Sequence, residues 1–207
     1  MPINRTFFFD QLRDKLYTGG LRQSQVDGHD AVLDAWEATM AAGDDRWLAY
    51  MLGTAYHETA MTLQPVRETL AVSDEQAAAR LESAWTKGKL PWVKTPYWRK
   101  DANGKYWFGR GLVQLTFENN YKNLGTLIGV DLVADPDKAL DMAVAIKVMF
   151  TGMTQGSFTG KKLAGYFHDD VQDWSGARQI INGTESAALV ADNARSYYAA
   201  LSYTTGA

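Results

Sequence analysis

Apolar residues recur at intervals of three and four through residues 1–85, and that period breaks across residues 86–112. A period near 3.6 gives each segment one buried stripe, which suits helices packed on helices. In "DGHDAVLDAWEATM" the stripe is Ala31, Val32, Ala35, Trp36 and Met40, and glycines at positions 19, 20 and 28 punctuate the approach to it. A second helix is expected after Gly43, with Asp44 or Asp45 as N-cap and Trp47, Leu48, Met51, Leu52 and Ala55 as its buried stripe. Ser73 followed by Gln76 is a capping-box signature that opens "SDEQAAARLESAW". Further helices are expected in "TFENNYKNLGTLIG", in "DPDKALDMAVAIKVMFTGM" after Pro136, in "GARQIING" and in "SAALVADNARSYYAALSY". The break at 86–112 holds Gly88, Pro91, Pro96, Gly104, Gly109 and Gly111 among aromatic residues, which predicts loops with a short hairpin near "DANGKYWFG". The expected fold class is therefore mainly α, a single domain over 1–207, either undivided or split into two lobes around a cleft, with its irregular region the place to look for a site.

Composition narrows the function classes. A chain of 207 residues with 46% hydrophobic content can bury a core. Its 21 basic and 24 acidic residues are mixed along the chain and leave a net charge of -3, so the basic stripe that nucleic acid demands is missing. The two densest basic clusters, residues 87–105 and the pair Lys161 and Lys162, read as solvated surface. The absence of cysteine removes disulfides, thiolate metal sites and a thiol nucleophile, and suits a reducing cytoplasm. The opening "MPINRTFFFDQLRDKL" has too short an apolar run for a signal peptide or a membrane anchor. A target outside the cytoplasm would then require another agent to move the protein. Seven Trp and ten Tyr offer flat faces of the kind that sugar rings pack against.

Two carboxylates stand out. Glu58 falls on the apolar side of its helix, seven residues after Met51, where burial would raise its pKa and suit it to donate a proton. Glu68 follows Pro65 in a segment without helical period, so it is expected to be loop-borne, wetter and ionised, as a general base should be. Such a contrasting pair is the minimum equipment for glycoside hydrolysis. The same residues also fit a plainer role, with Glu58 paired to Arg67 or His57 and Glu68 as surface charge. His57 and Glu58 begin a zinc-protease pattern, but position 61 is Met where the second histidine is needed, and neither His29 nor His168 has ligand spacing to His57. Gly109 and Gly111 flank Arg110 at a place suited to a cleft wall, or to an ordinary turn with a solvated arginine. Gln114 and Thr116 share one face if their segment is extended, and one of Tyr106, Trp107 and Phe108 is placed to stack on a sugar. Asn182 before Gly183 is a sugar ligand or a helix C-cap pair.

The motifs "AYHET", "YWFGRGLVQLTFENNYKNLG" and "ARQIING" occur in the order and spacing of glycoside hydrolase family 19, which the chain resembles over roughly residues 45–200. The family has the chitinase-like, lysozyme-like helical fold also used by many bacteriophage endolysins, and the opening "TGGLRQSQVDGHDAVLDAW" looks like the endolysin type. The resemblance implies that Glu58 is the general acid, that Glu68 of "RET" is the general base of an inverting reaction, and that Thr116 helps hold the attacking water. It marks His57, Arg110, Gln114, Tyr121, Asn182 and Arg195 as substrate-binding or network residues. Glu185 arrives one residue early against the usual "INGG-x-E". For inversion the two carboxyls should stand about 6.5–9.5 Å apart. The expected function is an endolysin cutting the β-1,4 bond of the peptidoglycan strand, without cofactor or metal. It would be a monomer with no membrane insertion, held in the host cytoplasm until a holin-type pore admits it to the cell wall. A chitinase, a non-catalytic glycan-binding or phage structural module, and a peptidase acting on the stem are the alternatives. The last lacks a metal cluster or an activated cysteine.

Overall fold

Four of the helices start where a side chain takes up a free N–H group. In the computed structural model, which describes residues 1–204, Asn4 caps α1 (Arg5–Lys15) by accepting from the Phe7 N–H. Asp44 caps α3 (Asp45–Glu58), Ser73 caps α4 (Asp74–Thr86) and Asp141 caps α6 (Met142–Gln155) in the same way. Helices α2 (Gln23–Thr39), α5 (Glu118–Ile128) and α7 (Ala187–Ala200) complete the set among the described residues. Gly129 and Gly156 close α5 and α6 in the left-handed conformation, at φ of 70° and 78°. The chain is mainly helical, 54% by residue. No helix among the described residues is long and apolar enough to cross a membrane.

Helix α3 is buried on every side from Leu48 to Tyr56, beyond the single stripe its sequence suggests. It packs most extensively against α7, and Gly53 makes that possible, since a Cβ there would come within 2.7 Å of the Ala194 nitrogen. A second, smaller core gathers Ala71, Ala77, Leu81, Trp98 and Phe108 under α4 and the 86–108 loops. The larger cluster is here called the main lobe and the smaller one the smaller lobe. A short antiparallel pairing joins the segments on either side, β1 (Val66–Arg67) to β2 (Arg110–Gly111), with Arg67 opposite Arg110.

Several expectations are corrected. Gly28 does not punctuate an approach; it lies inside α2, where an added Cβ would stand 2.2 Å from the Leu63 carbonyl oxygen, so the glycine serves close packing. "DPDKALDMAVAIKVMFTGM" splits at Asp141 into a 3-10 turn (Pro136–Leu140) and α6, and "GARQIING" holds only a 3-10 turn (Gly176–Ile180). No hairpin ladder forms at "DANGKYWFG": Asp101 Oδ1 accepts from the N–H groups of Asn103 and Lys105 and closes a tight turn instead. The two-residue strands β3 (Phe167–His168) and β4 (Val171–Gln172) pair in a region with no such expectation.

Candidate active site

Glu58 is the last residue of α3, and the chain leaves it through a sharp reversal. Ala60, Met61 and Leu63 all have positive φ, at 48°, 67° and 51°. Left-handed conformations cost non-glycine residues ~1–3 kcal/mol each and persist where the surroundings enforce them. Here Thr59 does so: its hydroxyl donates to the Ala55 carbonyl at 2.7 Å and accepts from the Leu63 N–H at 3.0 Å. The reversal leads through Pro65 into β1 and back to Glu68.

The two carboxylates have different partners. Glu58 Oε1 accepts from Arg178 Nη1 at 2.6 Å, and Arg178, only 4% exposed, is steadied by its Nε donating to the Glu185 carbonyl at 3.0 Å. Glu58 Oε2 has no hydrogen-bond partner among the described residues. Glu68 opens a 3-10 turn (Glu68–Leu70); its Oε1 accepts from the Tyr97 hydroxyl at 2.6 Å and its Oε2 from the Gly109 N–H at 2.8 Å. Desolvation pushes the Glu68 pKa up; the two donated hydrogen bonds pull it down without cancelling that effect, and the nearby charge of Glu58 adds to the rise. This departs from the sequence expectation for Glu68. Glu68 is the desolvated carboxylate, folded against Tyr97 and Gly109 rather than left in a wet loop. The apolar surroundings expected of Glu58 are instead occupied by a guanidinium that lies 120 residues away in sequence.

The plainer pairing of Glu58 with Arg67 is also ruled out, because Arg67 is engaged elsewhere. Its Nε donates to Asp74 at 2.7 Å and its Nη2 to Asp137. Arg110 binds the same two aspartates, Asp74 at 2.5 Å and Asp137 at 2.9 Å, and adds the Tyr106 carbonyl and the Tyr121 hydroxyl. Arg110 is 1% exposed, and Tyr121 is fully buried with its hydroxyl donating to the Phe108 carbonyl at 2.9 Å. The expected cleft-wall arginine is therefore a buried clamp that ties β2 to α4 and to the Pro136–Leu140 turn. It sits directly after Gly109, whose N–H and C=O both bond Glu68.

Gln114 and Thr116 do not share an extended strand. Gln114 has φ of 53° and lies in a turn, and the Thr116 hydroxyl donates back to the Gln114 carbonyl at 2.8 Å. Both still reach one cleft of about 1230 Å³, together with Glu58, Glu68 and Asn182. The aromatic rings there are Trp92, Tyr97, Phe117 and Phe158, with Trp92 and Phe117 exposed. Tyr106, Trp107 and Phe108 do not line it; Trp107 and Phe108 are buried. His57 neighbours Glu58 in sequence but lies about 100° round the helix and does not line the cleft. Arg195 is on the exposed side of α7, bonded to Asp192 at 2.9 Å. The Glu185 side chain is exposed, and only its carbonyl serves the site, through Arg178.

Sequence reasoning did not find Arg178 or Tyr97. Arg178 stands inside "ARQIING", so the signal lay in a motif already recognised, with the wrong arginine chosen. Tyr97 follows Pro96 in an aromatic loop that carries no period.

A family model described as chitinase class I, glycoside hydrolase family 19, matches residues 77–179, which include Tyr97, Gly109, Gln114, Thr116 and Arg178. Endochitinase 1 of Theobroma cacao is 48% identical over 50 residues, covering 24% of this chain and 16% of that protein. Basic endochitinase of Vitis vinifera is 42% identical over 50 residues, with the same coverage. The matched stretch thus spans about a sixth of those relatives' length. In overall fold the chain is similar to chitinase C from Streptomyces griseus HUT6037, with a TM-score of 0.50 at 20% identity over 94% of this chain and 88% of that one. Residues 77–179 thus carry the sequence pattern of glycoside hydrolase family 19, on a fold similar to that of a chitinase.

Proposed function

We propose that this chain is an endolysin that hydrolyses the β-1,4 linkages of the peptidoglycan glycan strand. The observation that carries the glycosidase reading is the meeting of Glu58 and Glu68, from separate segments and with separate partners, on one cleft of about 1230 Å³. That volume exceeds the ~300–1,000 Å³ of ordinary small-molecule sites and suits a stretch of polymer. Glu58 donates its proton through Oε2, the oxygen Arg178 leaves free, to the departing glycosidic oxygen as the C1–O bond breaks. Water forms the new bond to C1 from the opposite face and gives its proton to Glu68. Because the Thr116 hydroxyl proton is committed to the Gln114 carbonyl, its lone pairs remain to accept a hydrogen bond from that water and orient it. The raised pKa of Glu68 makes it a stronger base. Exposed Trp92 and Phe117 supply faces for sugar rings.

The same raised pKa favours a second assignment, with Glu68 as the acid. Glu58→Gln and Glu68→Gln separate the two. The variant lacking the acid keeps turnover on aryl glycosides whose leaving group needs no proton, and the variant lacking the base is rescued by azide. The named activity of the Theobroma and Streptomyces relatives favours chitin as an alternative polymer. Release of new reducing ends from sacculi, lost in Glu58→Gln, supports the endolysin; cleavage of chitin oligomers alone moves the chain to the chitinases. Silence on both polymers favours a non-catalytic glycan-binding or phage structural module. As an endolysin the protein would act as a monomer, waiting in the host cytoplasm for a holin-type pore.

A further inference from the structure

Each of the two basic clusters that the sequence assigns to solvated surface sends one lysine to the cleft. Lys94 enters it from the smaller lobe, beside Trp92 and Thr95, and Lys161 enters it from the main lobe, beside Phe158 and Thr159. The Lys161 segment is fixed, since the Thr159 hydroxyl donates to the Gln179 carbonyl at 2.6 Å. Apart from Glu58 and Glu68, these lysines are the only charged side chains lining the cleft among the described residues. Of the rest, Arg99 is held by Glu82 at 2.7 Å, Lys100 lies 4.0 Å from Glu75 and Lys105 binds the Ala134 carbonyl at 2.8 Å, while Lys87, Lys89 and Lys162 do not line the cleft. The ammonium groups of Lys94 and Lys161 have no ion pair or hydrogen bond among the described residues. A chain of net charge -3 thus turns two unpaired cations into its cleft, one on each side.

A neutral polymer gives these cations nothing to bind, because the N-acetylglucosamine repeat of chitin has no ionisable group. The muramic acid repeat carries carboxylates along its peptide stem, which is joined through the lactyl carboxyl, and a free lactyl carboxylate wherever the stem has been removed. We infer that Lys94 and Lys161 are specificity-determining residues that bind carboxylates borne by the glycan, so that the cleft selects an anionic strand over a neutral one. This rests on the proposed glycosidase reading and names the feature of the substrate that the site recognises. The lysines contribute to binding and take no part in bond breaking, so their effect lies in affinity and in its dependence on salt.

The test measures binding in a Glu58→Gln background, which holds the substrate intact. Lys94→Gln with Lys161→Gln, and the reversal Lys94→Glu with Lys161→Glu, are compared by co-sedimentation on intact sacculi, on amidase-stripped strands whose only carboxylates are the lactyl groups freed by stem removal, and on chitin. A second reversal, Lys122→Glu with Lys147→Glu, matches the net charge on exposed positions outside the cleft. The expected result is a fall of about 3–10-fold in the sacculus-to-chitin affinity ratio for the Gln pair, as two solvent-exposed charge contacts imply. A larger fall is expected for the cleft reversal, and both should shrink in 1 M salt, where the screening length is ~3 Å. Loss on sacculi alone assigns the contact to stem carboxylates, and equal loss on stripped strands shows that the same lysines also take the lactyl carboxylate that stem removal exposes. A ratio unchanged within twofold, or an equal fall in the control reversal, overturns the inference. Failure of the glycosidase reading is seen separately, as no new reducing ends from the wild type on any of the three polymers, and the binding ratio still decides the role of the lysines.

Discussion

Replacing Arg110 by Met separates a structural role from the sugar-binding role that its sequence context suggests. Its guanidinium is 1% exposed, reaches Asp74 at 2.5 Å and Asp137 at 2.9 Å, and lies 4.2 Å from the Phe108 ring centroid. Removing one partner of a buried ion pair costs ~3–5 kcal/mol, because the remaining groups are left desolvated. Arg67 still serves both aspartates, and their side chains are 24% and 46% exposed, so the lower end applies. At ~2–4 °C per kcal/mol for a chain of this size, the expected fall in Tm is about 6–12 °C. Arg110→Lys should recover little of it, since one ammonium cannot replace the planar fork that reaches both aspartates. Thermal unfolding followed by circular dichroism gives the fall directly, and glycan turnover gives the kinetic effect. Loss of the clamp loosens Gly109 against Glu68, so kcat should fall more than KM rises. A Tm within about 2 °C of wild type with a raised KM would refute this reasoning and return Arg110 to the substrate.

Tyr97→Phe removes a hydrogen bond that lowers the Glu68 pKa, so that pKa rises further. The limb of the pH–rate profile that reports deprotonation of the base should move to higher pH; a limb that stays put would detach Tyr97 from catalysis. Trp92→Ala, at a ring 67% exposed in the cleft, should raise KM about 2–12-fold, the worth of one ~0.5–1.5 kcal/mol aromatic contact, while leaving Tm within 1 °C or so. His29 is fully buried between the Gln25 carbonyl and the Tyr197 hydroxyl, and burial lowers its pKa from 6.5 to about 4. Between those values the unfolded chain binds the extra proton, so stability falls as pH drops from 6.5 towards 4, by roughly 3 kcal/mol at ~1.4 kcal/mol per unit. Denaturant titrations across that range should show the loss, and His29→Gln should flatten it.

What could be read in the sequence was local. Asp44 and Ser73 announce their helices because a cap acts within three residues, and the 86–112 stretch announces its irregularity through glycine and proline. Glu58, Glu68, Gln114, Thr116 and Asn182, singled out in the sequence, all line one cleft. The misplacements concern long-range partners. Nothing within a few residues of Arg110 tells that Asp74 and Asp137 will enclose it, and nothing near Glu58 tells that Arg178 will fill the space opposite. Tyr97 reaches Glu68 across 29 positions, which is why the sequence around Glu68 reads as a wet loop rather than a desolvated site. Gly28 was misread for the same reason, since its purpose is the approach of Leu63 from another segment.

The stereochemistry of the first-formed product tests the central claim most directly, because it reports where the water attacks. Proton NMR of a glycan oligomer during the first turnovers should show the α-anomer at the new reducing end, ahead of mutarotation, and no product from Glu58→Gln. Initial appearance of the β-anomer, or turnover that survives Glu58→Gln on the natural glycan, would contradict the assignment of Glu58 and Glu68 as the acid and base of an inverting hydrolysis.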